Sequence, residues 1–329
     1  MWDTLDGARE QIRGPGLPIA RYRLEFRGGA GKTRALFTGS AWRGAFGHAL
    51  KRLVCVTRNE RCSECLLFRS CVYPYVFETP PLPGDHLLKN GAAAPHPFAL
   101  TLPFPAPEAT GEVELGLTLF GRSNGQLAYL VYAFRQAAEE GIRPYGPLKL
   151  ERVLQEEPLG SDQWKNIFVP PGQLIPCPAL PPPAAPPPGL VRVVLETPLR
   201  LRQEDRYVTA DQFEAGDLLR NVIRRISLLS HFHAGESPAE DFAALTAQTH
   251  RLRLLEKRLT WRDWTRYSGR QQTKLKMGGL LGSVAADFGA FPDLWRFLWL
   301  GQYTHAGKGT SMGLGRYRLE PPGKPGGAR

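Results

Sequence analysis

Four cysteines stand at Cys55, Cys62, Cys65 and Cys71, a C-x6-C-x2-C-x5-C spacing inside one short segment. A Cys-x-x-Cys pair with outer partners at short range suits a closed tetrahedral site of four thiolates around a metal. Such a site keeps no open coordination position, so its expected role is structural. Zinc is the expected ion, with an iron–sulfur cluster as the alternative. Cys177 stands apart in a proline-rich stretch and reads as a plain thiol.

His48 belongs to the segment SAWRGAFGHALKRLV, residues 40–54. Read as a helix, Trp42, Phe46, Ala49, Leu50 and Leu53 share one apolar stripe at 3.6-residue spacing. His48 falls on the other side, with Gly44 one turn before it and Lys51 three residues after it. Histidine titrates near neutrality and can take a proton from a hydroxyl or return one to a leaving oxygen. A lysine beside it can stabilise charge on a phosphorane.

The segment THAGKGTSMGLG, residues 304–315, carries glycines at 307, 309, 313 and 315. Glycine permits close backbone approach, and backbone N–H groups can face phosphate oxygens. Gly307, Gly309, Gly313 and Gly315 are therefore expected to contact an RNA backbone, with Lys308 supplying charge. His305 at the mouth of the loop is a second acid/base or phosphate contact. The segment WTRYSGRQQTKLKMGG, residues 264–279, mixes aromatics with Arg266, Arg270, Lys274 and Lys276. Aromatics stack bases while cations hold phosphates. Arg220 and Arg224 share the polar face of a helix near 214–231 and join the basic set. GGAGKT, residues 28–33, lacks the glycine five residues before the GK pair; Phe26 stands there, which excludes a phosphate-binding P-loop. It reads as a glycine turn that brings Lys32 and Arg34 to RNA.

The elements that must position these residues follow from periodicity. Strands are expected at 18–26, 112–121, 148–155, 189–199, 260–268, 276–288 and 315–320, and helices at 40–54, 126–140, 214–231, 237–256 and 291–301. Ser40 is the expected N-cap of the first helix. The run PCPALPPPAAPPPG, residues 176–189, marks a semi-rigid linker. Each side of it offers strands interleaved with helices, which fits an α+β fold of two ferredoxin-like domains in tandem. The expected boundaries are 15–172, with a Cys-rich insertion at about 55–105, a linker at 173–189, a second domain at 190–321 and a disordered tail at 322–329.

The chain has 329 residues, 42% of them hydrophobic, so it can bury real cores and is not generally disordered. Its formal net charge of +11 favours a polyanionic partner. No apolar run is long enough to cross a bilayer, and the N-terminal segment has no apolar signal-peptide centre. The expected setting is cytoplasmic, with no membrane partner.

Several segments together carry a family resemblance. GQYTHAGKGTSMGLGRYRLE closely resembles the C-terminal glycine-rich signature of the CRISPR-associated repeat-RNA endoribonucleases of the RAMP superfamily. RYSGRQQTKLKMGGLLGSV, SAWRGAFGHALKRLVC and CVYPYVFE resemble segments of a cysteine-containing branch. The resemblance implies paired ferredoxin-like (RRM/RAMP-type) domains and binding of CRISPR repeat RNA in precursor transcripts. It implies cleavage that needs no catalytic cofactor: a 2′-hydroxyl attacks the adjacent phosphate, leaving a 2′,3′-cyclic phosphate and a 5′-hydroxyl. It also implies a histidine on the first helix, which places His48, assisted by a lysine or tyrosine, for which Lys51 and Tyr22 are the nearest matches. Other CRISPR effector subunits are expected partners. Two other readings stay open: a guide-RNA-binding RAMP subunit without catalysis, and a zinc-containing DNA-binding protein.

Overall fold

The computed structural model describes residues 16–28, 37–81, 87–88, 93–106, 111–236, 242–268 and 273–321, with side chains left out at 265–268 and 273–276. Lys32, Arg34, Arg270 and the expected tail at 322–329 lie outside the described residues.

In the first half, β1 (Ile19–Gly28) alternates in burial. Tyr22, Leu24 and Phe26 point into the core, while Arg21, Arg23, Glu25 and Arg27 take the opposite face. Next come α1 (Gly39–Val54), α2 (Val72–Phe77), β2 (Phe98–Thr101), β3 (Glu112–Phe120), α3 (Leu127–Glu140), β4 (Leu148–Glu156) and β5 (Trp164–Phe168). The sheet order is β2-β3-β1-β4-β5, antiparallel throughout. Without the added edge strand β5, this is the β-α-β-β-α-β order of a ferredoxin-like unit. The expected apolar stripe of α1 is buried at Trp42, Phe46, Ala49 and Leu50. Phe46 stacks on Phe134 of α3 at 4.1 Å, and Trp42 meets Phe26 at 5.1 Å. Each such ring or leucine contributes roughly 1.5–3 kcal/mol by leaving water.

The second half runs β6 (Leu190–Leu199), a minimal hairpin of β7 (Arg202–Gln203) and β8 (Arg206–Tyr207), α4 (Ala215–Leu229), α5 (Phe242–Thr249), β9 (Leu254–Ser268), β10 (Thr273–Asp287), α6 (Pro292–Thr304) and β11 (Tyr317–Glu320). Its sheet order, β11-β6-β10-β9, repeats the ferredoxin-like pattern. Leu219, Val222, Ile223, Ile226 and Leu229 of α4 are buried, as their spacing predicts.

Three expectations change. The helix expected at 237–256 reduces to α5, because Leu254–Leu259 instead begins the long strand β9, paired with β10. The insertion expected at about 55–105 contains α2 and the edge strand β2. Helix α1 begins at Gly39, so Ser40 sits inside its first turn and Thr38 precedes it without a side-chain cap.

The proline-rich run is pinned along its length. Gln155 is buried and bonds Cys177 twice, donating to its carbonyl at 3.0 Å and accepting its N–H at 2.9 Å. Ile19 N–H donates to Leu180 O at 2.9 Å, and the indoles of Trp299 and Trp295 donate to Pro183 O and Pro186 O. Among the described residues, no helix is long and apolar enough to cross a membrane.

Candidate functional site

The glycine loop follows α6 and returns to β11. Gly307, Gly309, Gly313 and Gly315 all have positive φ, between 70° and 91°. That conformation strains any residue with a Cβ. A Cβ on Gly315 would stand 1.7 Å from Ala306 O, and one on Gly307 would stand 2.5 Å from Arg200 O. The loop's N–H groups are largely engaged already. Gly307 donates to Asn221 Oδ1 at 2.6 Å, Gly313 to Thr310 O and Gly315 to Pro198 O. These glycines are therefore required by the protein's own backbone. Lys308 remains, with its N–H held by Arg200 O and its side chain exposed.

The loop also joins the two halves. Met312 O lies where a Cβ on Gly39 would be, at 1.8 Å. Arg43 Nε donates to Ser311 Oγ at 3.0 Å, and Gly313 lies against the carbonyl of Leu100 at the end of β2. Thr197 Oγ1 of β6 donates to Gly313 O at 2.8 Å and accepts the N–H of Arg316. A segment of the second half thus clasps the start of α1 in the first.

Along α1, His48 is exposed, five residues beyond Arg43 and so about 7.5 Å further along the axis. Gly44, one turn before it, has open space where a Cβ would stand. Gly47 differs, since a Cβ there would meet the Phe77 ring at 3.2 Å. Lys51 turns toward the cysteine segment: its amine donates to Glu60 O at 3.1 Å and lies 5.6 Å from the Tyr73 ring.

Two other expected residues are buried. Tyr22 is 2% exposed, its hydroxyl donates to Asn124 Oδ1, and burial, with Cys177 nearby, pushes its phenol up. The structure therefore places it in the first core rather than beside His48. His305 is also 2% exposed. Burial, followed by Arg316 and Arg225, holds its imidazole well below the usual range, so it is a neutral interior group rather than a surface phosphate contact. Arg220 is half-buried and bonds Asp217 at 2.6 Å and Thr249, which ties α4 to the end of α5. Arg224 is exposed on α4. Arg266 lies in β9, with Lys274 and Lys276 in β10: in the strand register Lys274 pairs with Tyr267 and Lys276 with Thr265.

Arg43 and His96, which no sequence motif singles out, meet at the clasp. Arg43 Nη2 lies 2.9 Å from His96 Nε2. A guanidinium can only donate, so Nε2 accepts and the ring proton sits on Nδ1. Burial first, then Arg43, Arg225 and His233, bring His96 down to about 3. His233 Nε2 lies 2.8 Å from Pro95 O, and burial first holds that ring at about 4. His96 lies in a proline-containing segment that offered no periodicity from which to find it. Arg43 did offer a signal, lying off the apolar stripe of α1 one turn before Gly47.

A groove of about 710 Å³ lies on the outer face of the first sheet. Its charged lining is Glu25, Glu112, Glu114 and Glu151 against Arg27 and Arg152, so it repels phosphate. The four clustered cysteines are free thiols. They line one small cavity, although among the described residues no group of three or more His, Cys, Asp or Glu side chains is set to hold a metal ion.

The fold is a tandem of two ferredoxin-like units clasped by a glycine loop, with an exposed histidine on the first helix. Residues 193–317 match the family model of the CRISPR-associated endoribonuclease Cas6, and residues 17–179 match the N-terminal domain model AF_1859_N. The second half of the chain thus carries a Cas6 endoribonuclease-family domain. Its fold is similar to a Cas6 (TTHB231) product complex at 16% identity, covering 92% of this chain and 99% of that one, with a TM-score of 0.57. It is similar to a Cas6 (TTHA0078) product complex at 18% identity, covering 93% and 100%, with a TM-score of 0.51. It is also similar to Thermus thermophilus Cas6 (TTHB231) at 15% identity, covering 93% and 100%, with a TM-score of 0.51. No curated relative matches the sequence.

Proposed function

We propose that this protein cuts CRISPR repeat RNA by attack of a 2′-hydroxyl on the adjacent phosphate, without a metal, and that His48 is the acid/base. The single observation that carries this reading is the exposed His48 beside the open space at Gly44, on a helix clasped by the glycine loop. His48 takes the 2′-hydroxyl proton or gives one to the leaving 5′-oxygen, and the products are a 2′,3′-cyclic phosphate and a 5′-hydroxyl. Exposed Lys308 and Arg224 hold backbone phosphates, and the basic β9–β10 hairpin adds to them. Lys51 assists only after leaving Glu60 O.

The working place is the cytoplasm, and the partners are the repeat RNA, in precursor and mature form, and other CRISPR proteins. Solved assemblies described as Cas6-RT-Cas1–Cas2 complexes, whose matched chains have TM-scores of 0.52, support the second part. The guide-binding reading without catalysis draws on the burial of Tyr22 and His305, which leaves His48 with few helpers.

The test is cleavage of the host repeat RNA in EDTA, beside a substrate with one 2′-deoxy substitution at the cut and beside His48→Ala. Cutting that survives EDTA and is lost in both comparisons is the expected result. Tight binding without cutting overturns the enzyme reading and leaves the guide-binding one.

A further inference from the structure

The cysteine segment has no evident means of holding its own shape. Between α1 and α2 it forms no strand, only a short 3-10 turn at Cys62–Glu64 and a few local backbone bonds. It exposes Val56 and Leu66 at 78% and 88%, so its apolar side chains do not supply a core. Segments of this kind are ordinarily held by a covalent or metal cross-link.

All four cysteines nevertheless line one place, although among the described residues no three of them are yet set to hold a metal ion. Cys55, at the C-cap of α1, and Cys62, Cys65 and Cys71 line the same cavity, of about 20 Å³. That is room for one water-sized particle or one small ion. Val54, Leu67, Phe68 and Pro74 form the apolar part of its wall, while the four cysteines remain partly exposed. Cys65 Sγ lies 3.3 Å from Thr57 Oγ1 and accepts the N–H of Leu67. Donors aimed at a sulfur suit a coordinated thiolate. Lys51 lines the cavity too, tethered by Glu60 O.

We propose that Cys55, Cys62, Cys65 and Cys71 bind one zinc ion that fixes the 55–71 segment to the end of α1. Zn²⁺ displaces four thiol protons to give a tetrathiolate with a charge of −2, and no electrons change hands. The side chains close on the cavity from their present places on its wall. The Lys51 ammonium offsets part of the new negative charge, so its position follows from the metal and not from the RNA. This site is independent of the RNA-cleavage reading and stands or falls without it.

The test uses the full chain, purified without added metal. Metal content is measured by mass spectrometry, and zinc release is followed while the thiols are titrated with a mercurial. One zinc per chain, released in step with four thiols, is the expected result, with loss of that zinc in the Cys62→Ser, Cys65→Ser double variant. Cobalt substitution of the wild-type protein gives an independent reading, since sulfur-to-cobalt charge-transfer bands appear only if thiolates are the ligands; this decides the matter even if the variant does not fold. Five freely reactive thiols, Cys177 included, without stoichiometric metal overturn the proposal. So do two disulfides, or iron accompanied by inorganic sulfide.

Discussion

The glycine loop and the cysteine segment look alike on paper: both are short, irregular, basic and free of strand or helix periodicity. In the fold they are opposites. The loop's irregularity is consumed by packing, because its positive φ angles and missing Cβ atoms let carbonyls of Arg200, Leu100 and Ala306 approach. The cysteine segment is close to solvent, and none of its irregularity is taken up by a neighbouring sheet. The difference teaches that an unpatterned stretch can be an internal joint or an outlying one, and that burial separates the two.

The sharpest way to break this comparison is Gly315→Ala. With φ at +70° and a carbonyl 1.7 Å from the new Cβ, the cost is at least about 3 kcal/mol, read by chemical denaturation. A variant as stable as the parent would show that the loop is not a joint. His48→Ala should leave folding unchanged and lower single-turnover cleavage by about a hundred- to ten-thousand-fold. Unchanged cleavage would remove His48 from the chemistry.

The clasp also carries a pH signature. His96 at about 3 and His233 at about 4 lie below the unfolded value of about 6.5. The unfolded chain therefore binds protons that the folded chain refuses. Stability is full above about pH 6.5 and falls as pH drops toward 4, by up to about 1.4 kcal/mol per pH unit for each ring. Denaturation curves from pH 8 to pH 4 should show this slope, and His96→Gln, if it folds, should flatten it. A flat profile in the parent would mean that the rings are not held neutral.

Smaller effects sharpen the contrast. Lys308→Ala should weaken RNA binding without touching stability and lower the slope of log affinity against log salt by about 0.7–0.9. An unchanged slope would take Lys308 off the RNA. Gly44→Ala, in a helix and with open space around it, should raise stability by about 0.5–1 kcal/mol, the reverse of Gly315→Ala. Destabilisation at Gly44 would mean that its surroundings are not open.

Much of the fold was legible because the period was clear. The stripe Trp42, Phe46, Ala49, Leu50 fixed α1, and the same pitch put His48 outside. The strand β2 was not legible: it is four residues long and follows a proline-containing stretch. β9 begins with LLEKRL, whose composition suits a helix, but its pairing with β10 decides for strand. For Tyr22 the signal was present in the parity of β1, since Tyr22 shares the face of Leu24 and Phe26. For His305 it was absent, because glycines around a histidine look like exposure until the loop is seen closed upon itself.

The bond from Arg43 to Ser311 spans 268 positions of chain. During synthesis the first half emerges and folds before its clasp exists. Helix α1 then waits, with His48 already displayed but its leading turn unsecured, until the glycine loop leaves the ribosome. On the proposed function, the protein thus becomes competent for RNA late in its own making, and a chain stalled before residue 311 presents the histidine without the grip.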